Sequence, residues 1–150
     1  MMEFAWSIFT ALLGSFGFSF LFRVDLKNIP WGVLGGGLDW AAYLLVFGAC
    51  NNIFASALAG AMAATAFAEI MAYVRKTPAT VYLLPGLIPL VPGGSLYYTM
   101  SALIYKDYDV ALQKGLATIE VMLGVSLGVV AMSLLVYAVR HIATNKKRRT

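Results

Sequence analysis

The chain has 150 residues, 61% of them hydrophobic and 12% charged, with a mean hydropathy of +0.80 and a formal net charge of +4. This composition excludes an ordinary water-soluble domain and places the chain among integral membrane proteins. The single cysteine, Cys50, excludes an internal disulfide and a thiolate metal cluster, and the one histidine, His141, beside Arg140, reads as a solvated flank.

A helix crosses the hydrocarbon core with about 20 mostly apolar residues. The first such segment is 4–22. It starts after Glu3 rather than a basic region and ends at Arg23 rather than at small residues, so it reads as a retained helix and not a signal peptide. Ser7, Ala11, Ser15 and Ser19 recur along it every four residues. The second segment, 30–50, opens with Asn28 and Pro30, a proline suited to a first helical turn, and carries Gly35, Gly36 and Gly37 just before Asp39. Asn51 and Asn52 form a polar turn into the third, 53–74.

Ser56, Gly60, Ala64 and Ala68 make a four-residue ladder in the third segment, beside Ala57, Ala61 and Thr65. Small residues let membrane helices approach closely, so this helix is expected at the centre of the bundle. Pro78 separates it from the fourth segment, 80–105. That segment holds Pro85, Gly86, Pro89, Pro92, Gly93 and Gly94. Each proline removes a helical donor and frees a carbonyl about one turn earlier, so the helix is predicted to break near mid-membrane. Ser95 is read as the cap of a new half-helix running through Tyr97, whose N-terminus would attract an anionic group. Backbone broken at membrane depth is tolerated only where protein buries it or a polar path runs beside it.

The last segment, 115–139, is expected to begin earlier, capped by Asp107 or Asp109, and to be longer than a bilayer is thick. It carries the GxxxG pair Gly124 and Gly128. The basic tail, 140–150, suits anionic lipid and implies no nucleic acid. With five crossings, an outer N-terminus and an inner C-terminus, nine basic residues fall inside and only Lys106 and Lys114 outside. A re-entrant fourth segment would divide the basic regions between the two sides. The expected fold is therefore an all-α integral membrane protein of one domain with five transmembrane helices, the fourth broken.

Asp39, Glu69 and Glu120 lie within these segments, where a charge costs about 2.5–3.5 kcal/mol even on a lenient scale. Each needs a partner, a proton or water, and each is expected to face protein. They are the candidates for proton or ion coupling. Glu69 also reads as an interfacial residue, since Arg75 follows about 9 Å further along the helix, and Glu120 likewise at the opposite face.

Residues 78–98, PATVYLLPGLIPLVPGGSLYY, resemble the proline-rich signature of the threonine/serine exporter (ThrE) family, in its C-terminal membrane half. In split members that half is a small YjjB-like subunit working with a larger YjjP-like subunit. The connector 22–31, the glycine-rich second segment and the basic end fit as well. The resemblance implies a cell-membrane exporter of small carboxylate-bearing solutes, threonine and serine in some members and dicarboxylates such as succinate in others. Pro89, Pro92, Gly93 and Tyr97 match the signature by position. Together with Pro85, Gly86, Gly94 and Ser95 they are the candidates for substrate binding or gating.

Two other classes stand beside the exporter subunit. A structural or assembly subunit would use the small-residue faces without a solute site, and a homo-oligomeric channel would use them between copies. An enzyme has no support, for no nucleophile with a base and no metal-ligand spacing is visible. No Walker-type phosphate loop occurs either, and no cofactor is implied.

Overall fold

The computed structural model describes residues 2–148, and side chains over 5–142. Arg149, Thr150 and the side chains of 143–148, all in the basic tail, lie outside the described part. Six α-helices follow in order: α1 Met2–Leu21, α2 Ile29–Cys50, α3 Ile53–Arg75, α4 Thr80–Leu87, α5 Gly93–Ile104 and α6 Tyr108–Arg148, with a 3-10 turn, Ile88–Leu90, after α4. No strand occurs among the described residues. Helices satisfy their own backbone groups, which is the condition for lying in lipid.

The helix ends follow from local chemistry. Asn52 caps α3 by accepting a hydrogen bond from the Ala55 N–H at 2.9 Å, and Asn51 closes α2 in the left-handed conformation, φ 48°. Lys76 ends α3 in the same way, φ 55°, its N–H bonded to the Ala72 carbonyl. Asp107 takes the start of α6, accepting from the Val110 N–H. Asn28, although at the α2 N-cap position, makes no cap bond there; its side chain is used between helices instead.

That use ties three helix ends together. Asn28 Oδ1 accepts from Arg75 Nε at 3.0 Å and from the hydroxyl of Tyr82 at 3.0 Å, while Thr77 donates to the Tyr82 oxygen at 2.8 Å. Tyr82 is 1% exposed, so the network is dry. Tyr82→Phe removes its central hydroxyl and is expected to cost about 1 kcal/mol, seen as a lower unfolding temperature in detergent.

α3 occupies the centre. Ser56, Ala57, Gly60, Ala61, Ala64, Thr65 and Ala68 are all buried, against α2 on one side and α6 on another. A methyl group added at Gly124 would stand 2.7 Å from the Phe54 carbonyl oxygen, and one at Gly128 2.6 Å from that of Leu58. The two backbones therefore touch, which is the packing that small residues permit in place of a hydrophobic drive. Large apolar side chains such as Trp6, Phe9, Leu45, Ile70 and Leu134 point outward. A water-soluble monomer rarely exposes so much contiguous apolar surface; lipid is the solvent that matches it.

Gly124 meets Phe54 and Ala57, Gly128 meets Leu58 and Ala61, and Arg140 meets Glu69. Contacts advance together along both chains, so α3 and α6 run parallel. The bent pair between them must return the chain: α4 starts beside Asn28, and α5 packs on the start of α6, with Thr99 against Gly115. α4 with its 3-10 turn and α5 meet at 47°.

By length and apolarity three helices can cross a membrane, α2, α3 and α6, or four if the bent pair is one span; the apolar part of α1, Ala5–Leu21, is shorter. The segment bounds expected from sequence fall within a few residues of the observed ones. The last helix is the exception in extent. At 41 residues it is about 60 Å long by the 1.5 Å rise, twice the hydrocarbon thickness, and it continues into the basic tail.

Candidate functional site

Asp39 is placed by α2, whose residues Ile29 and Cys50 lie about 15 Å to either side along the axis. It is completely buried, and neither carboxylate oxygen has a hydrogen-bond partner. Glycine makes this burial possible. A methyl at Gly60 of α3 would stand 2.8 Å from Asp39 Oδ1, 3.0 Å from the Asp39 carbonyl oxygen and 3.2 Å from Leu90 Cδ1. The same point thus joins the carboxylate, the central helix and the 3-10 turn of the broken segment. The break lies at the depth of Asp39, midway along the bundle.

Two further polar atoms are buried without partners, Ser15 Oγ and Trp40 Nε1. A methyl at Gly36, one turn before Asp39, would overlap Ser15 Oγ and lie 3.5 Å from Pro89 Cγ. A buried carboxylate and a buried hydroxyl therefore lie along the glycine-rich stretch of α2, Asp39 against α3 and Ser15 on the α1 side, each beside the broken segment. Leaving such groups dry is expensive, about 1–3 kcal/mol for a neutral one and more for a charge. The cluster can take up a proton, a cation or the ammonium group of a solute.

Two open cavities of about 280 Å³ lie along the broken segment. One is lined by the α1–α2 connection and α4, including Arg23, Asp25, Thr80 and Pro85. The other is lined by α1, Trp40, Ile88 and Pro89. Pro85 belongs to one and Pro89 to the other, so the single turn between these prolines separates the two spaces.

The remaining candidates divide. Pro85 and Gly86 are buried against the backbone of α2, the Pro85 ring filling the space over Gly32 and Gly86 lying on Gly35. Pro92 is the N-cap residue of α5, and Gly93 and Gly94 are exposed, with nothing within 4 Å of where a side chain would begin. The first turn of α5 is thus open on the outside of the bundle, not enclosed beside Asp39. Ser95 does not cap it: the residue lies inside α5 and its hydroxyl donates to the Pro92 carbonyl at 3.1 Å. Proline at 92 shifts the helix start earlier, because its fixed φ suits the turn and its missing N–H costs nothing there. Tyr97 is exposed, edge-on to Tyr98.

Glu69 meets Arg140, Oε2 to Nη2 at 3.1 Å, and Arg140 also donates to the Glu69 carbonyl and lies over the Tyr73 ring. The pair is partly exposed, 22% for Glu69 and 51% for Arg140. Such pairs contribute about 0–1 kcal/mol. Glu69→Gln is expected to change unfolding stability by no more than that, measured in detergent against wild type. Glu120, expected to face protein, is exposed instead. Its neighbour in the row, Gly124, already sits at the first turn of α3, so Glu120 projects past the end of that helix.

Sequence reasoning had no means of finding Ser15, Trp40, Arg23 or Asp25 as part of the site. Ser15 reads only as one small rung among four, Arg23 as a topology marker, and Asp25 as part of the connector 22–31. Among the described residues no group of acidic, histidine or cysteine side chains is arranged to hold a metal ion.

No curated protein and no solved structure matches the chain. The family model described as threonine/serine exporter, ThrE, matches residues 7–135, a range that contains Asp39, the broken helix, Gly124 and Gly128. The chain therefore belongs to the threonine/serine exporter family of membrane transport proteins.

Proposed function

We propose that the chain is the small subunit of a secondary exporter in the plasma membrane, crossing five times with its C-terminus inside and moving threonine, serine or a related small carboxylate-bearing solute together with a larger partner subunit. The observation that carries this reading is the contact of Leu90, in the break, with the point where Asp39 and Gly60 meet. A packing kink has no use for an unpartnered carboxylate at mid-depth, whereas a transport site needs both a binding group and a backbone that yields. Parallel α3 and α6 favour a full crossing by the bent pair, and the α1 helix, although short, runs alongside the full-length α2. Solute moving between the two cavities would pass the turn from Pro85 to Pro89, the segment whose Leu90 touches the Asp39–Gly60 contact. The odd number of crossings and the small size favour a partner chain.

The test is export of labelled threonine, serine and succinate from vesicles holding this chain, the larger subunit, or both. Transport is expected with both together. Full transport by the larger subunit alone would remove this chain from the mechanism and leave it a scaffold.

A further inference from the structure

The cavity at the α1–α2 connection carries a more specific reading, which rests on the exporter function just proposed. Arg23 and Asp25 line it together, one residue apart, and α4 supplies the opposite wall with Thr80, Leu84 and Pro85. The connection that holds the two ionic residues is built, not slack. The Arg23 N–H bonds back to the Phe20 carbonyl and the Val24 N–H to that of Ser19, with Arg23 in the left-handed region at φ 53°. The Asp25 carbonyl then accepts the N–H groups of Asn28 and Ile29, so the chain passes from one helix to the next through bonded turns.

Among the described residues neither Arg23 nor Asp25 forms an ion pair, with each other or elsewhere. An exposed cation and an exposed anion, held with one residue between them by the bonded turns of the connection, line one open cavity and together fit a particular solute chemistry. Guanidinium takes a carboxylate through two parallel hydrogen bonds, and a carboxylate takes an ammonium group. A dicarboxylate or a lipid phosphate would gain the first contact and be repelled by Asp25. An amine without a carboxylate would gain the second and be repelled by Arg23. Only a molecule bearing both charges on adjacent atoms satisfies both side chains. The volume, about 280 Å³, lies at the small end for solute pockets, which run from about 300 Å³ upward, and suits an amino acid better than a peptide.

Location adds a direction. The cavity opens at the end of the bundle that carries Arg75 and Lys76, the end that charge asymmetry assigns to the cytoplasm. Its inner wall is Pro85, and Leu90, at Asp39, lies five residues further, about 7 Å along a helical axis.

We infer that Arg23 and Asp25 form a zwitterion-selective loading site on the cytoplasmic side, which admits free α-amino acids and rejects dicarboxylates before the solute reaches Asp39. Saturation of transport is then set at this site and not at the mid-membrane carboxylate.

The experiment uses inside-out vesicles holding both subunits, with labelled threonine outside and unlabelled threonine, threoninol, N-acetylthreonine or succinate as competitors. Wild type is expected to be inhibited by threonine and not by the three analogues. R23K keeps the charge and the topology but loses the fork, and D25N keeps the shape but loses the charge. Each is expected to raise the half-saturating threonine concentration at least about tenfold while the maximal rate holds within about twofold. If wild-type vesicles carry no threonine, the exporter reading itself fails. If they carry threonine and both variants saturate as wild type does, or if succinate and threoninol compete as well as threonine, the loading site is overturned and the exporter reading stands.

Discussion

Asp39→Asn is expected to lower the maximal rate of threonine export by at least about tenfold, equal to about 1.4 kcal/mol in the rate-limiting step, with the amount of protein in the membrane unchanged. The substitution keeps the side-chain volume, so Gly60 and Leu90 retain their contacts and the packing around the break is preserved. What it removes is the ability to carry a charge or exchange a proton at mid-depth. An unpartnered buried carboxylate is a cost that folding tolerates, since charge there must be matched by a counter-group. The asparagine variant is therefore expected to unfold at the same temperature as wild type or above it. Stability and transport should move in opposite directions, which separates a working carboxylate from a structural one. A stable variant with full export would make Asp39 a packing residue.

The second large effect concerns α3 and α6. Gly124→Ala and Gly128→Ala each place a methyl group against a backbone carbonyl of α3, at 2.7 and 2.6 Å, where no side chain can rotate away. The helices must separate, and overpacking of this kind costs about 1–3 kcal/mol per site. Together the two are expected to lower the unfolding temperature of the purified protein markedly. Gly17 and Gly48 supply the control, since an added methyl meets nothing within 4 Å at either. Gly17→Ala and Gly48→Ala are expected to be neutral or to stabilise by about 0.5–1 kcal/mol, the usual gain of alanine over glycine inside a helix. Equal behaviour of all four variants would mean that the α3–α6 contact does not hold the fold.

The parts of this molecule that sequence makes readable are those set by a short stretch of chain. Asn52 as a cap, Pro78 as a separator, and the rungs from Ser56 to Ala68 depend on neighbours within a turn or two, and each stands where local chemistry puts it. The break after Pro85 is of the same kind, because a missing N–H is a local fact. Pairings between helices are not. A ladder gives the face of a helix but not its neighbour, so Gly60 and Asp39 carry no mark of meeting, and Arg140 lies 71 residues from the carboxylate it binds. Ser95 shows a subtler limit. Both Pro92 and Ser95 suit a helix start, and the choice depended on where the preceding turn left the backbone. Glu120 is exposed, as its interfacial reading allows, because a row of residues can outlast the helix it packs on.

The contact between α2 and the broken helix has one more implication. Gly32, Gly35 and Gly36 face Pro85, Gly86 and Pro89. Helices usually lock because ridges of side chains sit in grooves, and sliding them means climbing out of one groove into the next. Here α2 offers a nearly bare track, and what rides on it is a pair of rigid rings with no rotamers to disengage. No side-chain ridge interlocks along this track. What holds the segment that carries the break to α2 is instead the hydrogen bond from Tyr82 to Asn28 at its start, while the bundle around α3 is locked through its own carbonyl-to-glycine contacts.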